Sequence, residues 1–376
     1  MVVSFDRNGA DSMDGAMIKF QSAEDFGCFA MESIAWDEDC GCLRFTDGEG
    51  KGTIETPERA VRSGFDHLIV SWNAQTPEGS CLTFYAQGLI GGEWTKWYTM
   101  GIWNRGGCPQ VRTSVKGQED EQGTVDCDVL KLKKLADAFR VRVEFSSADG
   151  KNYPCLRFLA MNVIDSSIAT VDIPPKKEVW GSELDVPYLC QISEPGAKGW
   201  CSPTSTAMLL GYWSEKLNRP ELKVRITETA RAVYDESFAG TGNWIFNTAH
   251  ASESPGIRAY VSRFVSVSQI EQWIAKGFPV IVSLHSSRLR REDSDTDPGH
   301  LMVIRGFTAE GDPIFNDPWP RGGKAEDCPK DFPVVDLRKV FKREDLEYAW
   351  LGKGGSWGTV YLIYPEGPKG VTSCEL

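Results

Sequence analysis

The sequence predicts two domains, an antiparallel β-sandwich followed by an α+β domain. Three observations carry that expectation. At 376 residues the chain is too long for one hydrophobic core. Its first part shows strand patterns separated by Gly, Pro and Asp turns, with few helix signals. Beyond Ile173-Pro174-Pro175-Lys176-Lys177-Glu178, helical patterns come first and strands follow. The double proline and its charges read as a linker, which sets the domains at residues 1–172 and 183–376 with 173–182 between them.

In the first part, Ile54 follows a Gly-rich turn and residues 67–72 form a compact apolar run. Residues 80–86 alternate imperfectly, whereas Arg140-Val141-Arg142-Val143-Glu144-Phe145 alternates strictly and predicts a half-buried strand. Turns are expected at 76–79, 91–92 and 148–150. Trp94, Trp97 and Trp103 fit either a sugar-stacking platform or sandwich core, and core is the expectation because aromatic rings dominate such interiors. In the second part, helices are expected over 203–217, 226–234 and 267–274, the last capped by Ser268 and ended by Gly277-Phe278-Pro279. Strands are expected over 279–284, 300–307, 313–316 and 359–364. The middle two form a hairpin around Ala309-Glu310-Gly311-Asp312.

Composition narrows the function classes. A formal net charge of −12 offers no basic face for phosphate, so nucleic acid is not an expected partner. No apolar run approaches the ~20 residues of a bilayer span, and Met1 to Arg7 show no signal-peptide pattern. The 11 cysteines are odd in number and dispersed, which fits a reducing compartment, and the cytoplasm is the expected location. Cys40-Gly41-Cys42 has no second pair to complete a zinc site. Asp293, Asp295 and Asp297 alternate like calcium ligands. However, Pro298 and Ile304 stand where such a loop needs Gly and Glu, so a solvated acidic loop is expected.

The chemistry concentrates on Cys201. Trp200-Cys201-Ser202-Pro203-Thr204-Ser205 places a cysteine at a helix start, with Ser202 as expected N-cap and Pro203 at the first helical position. The helix dipole and unpaired N–H groups there favour a thiolate. A buried inert cysteine is the bland alternative, so downstream partners decide. His300 opens a predicted strand after Gly299 and supplies a candidate base; Asp317 ends the partner strand and supplies a candidate orienting carboxylate. Asn316 competes with Asp317, since neighbours on a strand face opposite ways and register is not fixed by sequence. Gln191 is a candidate oxyanion donor beside the Cys201 N–H. His285 ends an apolar strand, but the following Ser286-Ser287-Arg288-Leu289-Arg290-Arg291 reads as an exposed loop; His67 and His250 lack supporting context.

Val186-Pro187-Tyr188-Leu189-Cys190-Gln191, the Cys201 stretch, Gly299-His300 and Asn316-Asp317-Pro318 together resemble the C-thirty-nine-like branch of papain-like cysteine peptidases, akin to bacteriocin leader peptidases. The resemblance covers roughly residues 183–365. It implies a papain-like fold with Gln191, Cys201, His300 and Asp317 as site residues and no metal or organic cofactor. The residue after the nucleophile, often Gly in the family, is Ser202 here. Leader peptidases proper are fused to membrane-spanning transporters, so cleavage after a double-glycine leader is not implied. Val70-Ser71-Trp72-Asn73-Ala74 and the 92–103 stretch resemble the β-sandwich module preceding some of these peptidases.

The leading expectation is a cysteine peptidase or amidase acting on a peptide or protein substrate, with a glycan or protein ligand for the N-terminal module. The same residues would serve amine acyl transfer of the transglutaminase kind. A non-catalytic glycan- or protein-binding protein is the third reading.

Overall fold

The computed structural model describes residues 16–46, 48, 50–168, 170–194, 196–197, 199–292, 299–319 and 338–367, so the 293–297 aspartates lie outside the described residues. The chain divides into two units. One comprises Phe5–Ser166 with Tyr234–Ala249, the other Ser167–Val233 with His250–Leu376.

The first unit is a twelve-stranded antiparallel sheet: β1 Ala16–Phe20, β2 Ala30–Glu32, β3 Ile34–Asp37, β4 Cys42–Phe45, β5 Lys51–Glu55, β6 Arg59–Gln75, β7 Ser80–Ile90, β8 Glu93–Trp94, β9 Tyr98–Asn104, β10 Gly123–Asp126, β11 Val129–Ser147 and β12 Cys155–Ile164. A short helix, α1 (Ala23–Phe26), is closed by a Ser22–Asp25 capping box. The longest strands, β6 and β11, have 17 and 19 residues, and each serves successive neighbours. Strand β11 pairs with β6 from Val129↔Ile69 to Phe139↔Arg59, with irregularities between Lys131 and Ala138. It then runs between β5 and β7, through Arg142↔Glu55 and Val141↔Ala86. Trp72 on β6 stacks on Phe84 of β7 at 3.8 Å although those strands do not pair, so the sheet folds over onto a shared core. The predicted alternation holds: Val141, Val143 and Phe145 are buried while Arg140, Arg142 and Glu144 are only partly covered.

Two expectations are corrected here. Trp103 is core, but Trp94 and Trp97 are half-buried, each beneath a guanidinium (Arg140 and Arg142, both at 4.3 Å), because they stand on the sheet face that β11 lines with charge. The helix expected over 226–234 stops at Ala232 because the chain then turns into the first unit. There the Asp235 carboxylate accepts from Ser114 N (3.0 Å), Phe238 N (3.1 Å) and Asn243 Nδ2 (2.8 Å). Phe246 packs on Trp103 at 5.3 Å. Gly101 makes room for it, since a Cβ there would stand 3.3 Å from the Phe246 ring.

Among the described residues the second unit has seven strands: β13 Ser182–Glu183, β14 Ile257–Arg263, β15 Val280–Leu284, β16 His300–Phe307, β17 Pro313–Asn316, β18 Arg338–Val340 and β19 Thr359–Pro365. Their order is β14-β19-β15-β16-β17-β18, with β13 on β16. Gly306 is required at that junction: a Cβ would lie 2.3 Å from Ser182 O. The helices are α2 Cys201–Leu217, α3 Ile226–Ala232, α4 Trp244–Ala251 (its first six residues with the first unit), α5 Val267–Ala275, α6 Ser286–Leu289 and α7 Arg343–Trp350. Residues read as linker are hydrogen-bonded to α5: Ser268 Oγ donates to Ile173 O, and Lys176 N and Trp180 Nε1 donate to Glu271. Ser266, not Ser268, caps α5, accepting from Ser268 N.

Helix α2 is buried on all sides from Ser202 to Ser214, as a helix with apolar residues around its whole circumference must be. Three polar contacts seat it on the sheet: Ser205 Oγ to Leu301 O, Ser202 Oγ with Tyr361 Oη, and Trp213 Nε1 to Ile363 O. Asn218 ends it in the left-handed conformation.

Candidate active site

Cys201 is the first residue of α2. Trp200 precedes it without a side-chain cap, so Ser202 is not the N-cap expected from sequence; its hydroxyl is spent on Tyr361 instead. The seating of α2 on Leu301 O brings Cys201 toward the start of β16, where His300 follows Gly299 at φ +80°. The His300 ring and the Leu301 and Ser202 N–H groups all act electrostatically on the Cys201 sulfur, and each favours the thiolate.

On its far side His300 Nε2 lies 2.7 Å from Asp317 Oδ1, which leaves Nδ1 for the sulfur. The choice of Asp317 over Asn316 is a matter of parity. Phe307↔Pro313 and Gly306↔Ile314 set a register that would put Asn316 opposite Ile304, on the face of Met302 and His300. A bulge at Arg305 inserts one residue, so Asn316 pairs with Val303 and Asp317 falls on the His300 face. Asn316 does different work. Its Nδ2 donates to Val186 O (3.1 Å) and Pro187 O (3.3 Å), anchoring the segment that leads to Gln191.

Gln191 is 2% exposed. Its backbone N–H donates to Pro318 O at 2.9 Å and its Nε2 to Ala197 O at 3.1 Å. An amide nitrogen carries two hydrogens, so one donor remains. Thus Asn316, Asp317 and Pro318 tie the Gln191 segment and the His300 ring to one hairpin end. The neighbouring Cys190 is disulfide-bonded.

The electrostatics follow from this packing. Burial pushes the Cys201 thiol up, but the His300 hydrogen bond and charge outweigh it and the net shift is downward. Burial opposes a charged ring at His300, yet Asp317 and Cys201 raise it to about 10. The packing therefore favours the thiolate–imidazolium form over the neutral pair, and such a pair can attack an acyl carbon and shuttle a proton.

Sequence reasoning missed Arg290. The stretch expected to be an exposed loop is helix α6, with Ser287 and Leu289 buried, and Arg290 Nη2 reaches Asp317 Oδ2 at 3.3 Å. Trp319 N also donates to Asp317 Oδ1, at 3.0 Å. No periodicity or motif marks either contact. Of the other histidines, His285 precedes α6 with its N–H on Ala349 O, His250 Nδ1 meets Glu253, and His67 lies on β6. Among the described residues no cluster of three or more His, Cys, Asp or Glu could hold a metal.

A thiol, an imidazole and a carboxylate thus stand together on a helix and a hairpin. Comparison with known proteins is more specific. Residues 22–163 match the family model of the Peptidase C39 N-terminal domain, and residues 183–343 match that of the Peptidase C39-like family. By these matches the second part of the chain is similar to the C39-like peptidases and the first part to the N-terminal domain of the C39 peptidases. Among solved structures the chain is similar to a C39-like peptidase from Bacillus anthracis, with 16% identity over 49% of this chain and 98% of that one and a TM-score of 0.34. It is also similar to TmCBM61 in complex with beta-1,4-galactotriose, at 8% identity over 39% and 86% of the two chains, TM-score 0.21. No curated protein matches.

Proposed function

We propose that the chain is a cysteine peptidase or amidase in which Cys201 is the nucleophile, His300 the acid–base and Asp317 the group that orients it. The family match supports cysteine peptidase activity at the coarse level. The observation that carries the finer reading is His300, joined to Cys201 on one side and 2.7 Å from Asp317 on the other. The thiolate adds to the carbonyl carbon, and the remaining Gln191 amide hydrogen and the Cys201 N–H stabilise the oxyanion. The imidazolium then gives its proton to the leaving amine as the C–N bond breaks. In the second half His300 takes a proton from water, hydroxide adds to the thioester, and the thiolate leaves. On this reading the second unit is a papain-like α+β domain and the first a β-sandwich. The sandwich takes a glycan or protein ligand; the support is the half-exposed Trp94 and Trp97 beside Arg140 and Arg142.

Iodoacetamide at pH 7 is expected to label Cys201 before any other thiol, and Cys201→Ala is expected to abolish hydrolysis of a peptidase substrate panel. Hydrolysis at the wild-type rate by Cys201→Ala would sink the reading.

A further inference from the structure

We infer that Arg290 is a positioning residue that locks the Asp317 carboxylate onto His300 and lets the ring release its proton. The inference rests on the proposed roles of Cys201, His300 and Asp317. Asp317 is 1% exposed, so it cannot lean on water, and its two oxygens are divided between partners. Oδ1 takes His300 Nε2 and Trp319 N; Oδ2 takes Arg290 Nη2. Arg290 is itself held, with Nη1 donating to Ser286 O at 3.0 Å and its guanidinium over the Phe341 ring at 5.6 Å. Its side chain is 17% exposed, which leaves the contact with Asp317 weakly screened.

The neighbouring arginines do something else. Arg288 and Arg291 both stack on Tyr348 of α7, at 4.4 and 4.3 Å, and Arg291 pairs with Asp345 at 2.6 Å. Only Arg290 of these three turns toward the hairpin end. The charged or titratable groups gathered here, among the described residues, are Cys201 from α2, His300 from β16, Asp317 after β17 and Arg290 after α6.

The consequence is a pair of opposed effects. While His300 is charged, Asp317 has two cations and stays fixed. When His300 loses its proton, Arg290 remains as the counter-charge of a carboxylate that is otherwise buried. Without Arg290 that state is an unpaired buried anion, so the His300–Asp317 pair keeps its proton to higher pH. The carboxylate also gains freedom to turn away from the ring.

The test uses the full chain with isotope-labelled histidine, following the His300 ring signals by NMR from pH 5 to 11. In wild type the inflection is expected near pH 10. Arg290→Met should move it up by about half to one pH unit, whereas Arg290→Lys should leave it near wild type because the charge remains. If Arg290→Met fails to fold, Arg290→Gln, which keeps a donor without the charge, reads the same inflection. Arg288→Met is the control for a purely structural role of this helix and should not move it. A His300 titration in the uncharged variants that superimposes on wild type overturns the inference. Iodoacetamide labelling of wild type reports separately: if Cys201 is not preferentially alkylated at pH 7, it is the nucleophile reading that falls.

Discussion

A partly buried thiol and a buried carboxylate meet in two regions of this protein, with opposite outcomes. In the first unit Cys127 precedes Asp128, which is 4% exposed and accepts from Trp244 N at 2.6 Å. Burial and the charges of Asp128, Asp235 and Asp126 push the Cys127 thiol up, and burial raises Asp128 to about 7. In the second unit Cys201 and Asp317 are as enclosed, yet the thiol is lowered. The difference is the imidazole between them, with Arg290 behind the carboxylate. Burial by itself neutralises acids and silences thiols; a cation supplied at the right atom reverses the sign.

The largest test of this contrast is Cys201→Ala, expected to lower turnover by at least about ten-thousand-fold, measured as initial hydrolysis rate. His300→Ala should cost about a hundred- to ten-thousand-fold. It should also leave burial opposed only by the Leu301 and Ser202 N–H groups at Cys201, so that iodoacetamide alkylation at pH 7 falls toward the rate of Cys127. An unchanged alkylation rate in that variant would show that the helix start, rather than the ring, activates the sulfur. Asp317→Ala is expected to lower kcat by roughly 10- to 100-fold through loss of ring orientation, and the His300 inflection should drop below about 10 as its counter-charge disappears.

The smallest effect is expected in the first unit. Asp128 has a folded pKa raised from 3.8 to about 7, so the stability it contributes is present below pH 3.8 and lost as pH rises toward 7. Asp128→Asn keeps an acceptor for Trp244 N without the buried charge. Thermal melts should therefore show it stabilised by about 3–6 °C at pH 8 and by progressively less toward pH 4. Equal shifts at both pH values would mean that Asp128 is not a destabilising anion.

Much of the site was legible in the sequence because its parts are local. Cys201 at a helix start, His300 opening a strand after Gly299 and Asp317 closing the partner strand need only short-range pattern, and the observed strands β16 and β17 match the expected bounds. Arg290 was not legible, since a run of Ser and Arg has the composition of a solvated loop. Its meaning comes from Leu289 burying and turning the following guanidinium inward. Trp94 and Trp97 were misjudged for a related reason. Aromatic content predicts burial on average, but which face of a strand is covered depends on neighbours far away in sequence. The docking of Tyr234–Ala249 with the first unit was hidden altogether, because Asp235 and Phe246 meet partners more than 100 residues upstream.

By itself, the sequence determined the strand-rich first part, helices α2, α3 and α5 of the second, and the hairpin that presents two of the candidate residues. What only the tertiary structure decided is which residue meets the His300 ring. Side chains alternate with period two, so one inserted residue exchanges the faces of everything beyond it. The bulge at Arg305 is that residue. It turns Asp317 to the ring and Asn316 to the Val186-Pro187 segment, and Arg290 approaches Asp317 from α6. Cys201, suggestive as a lone thiol at a helix start, has its thiol shifted downward by an imidazole whose own partner that single bulge selects.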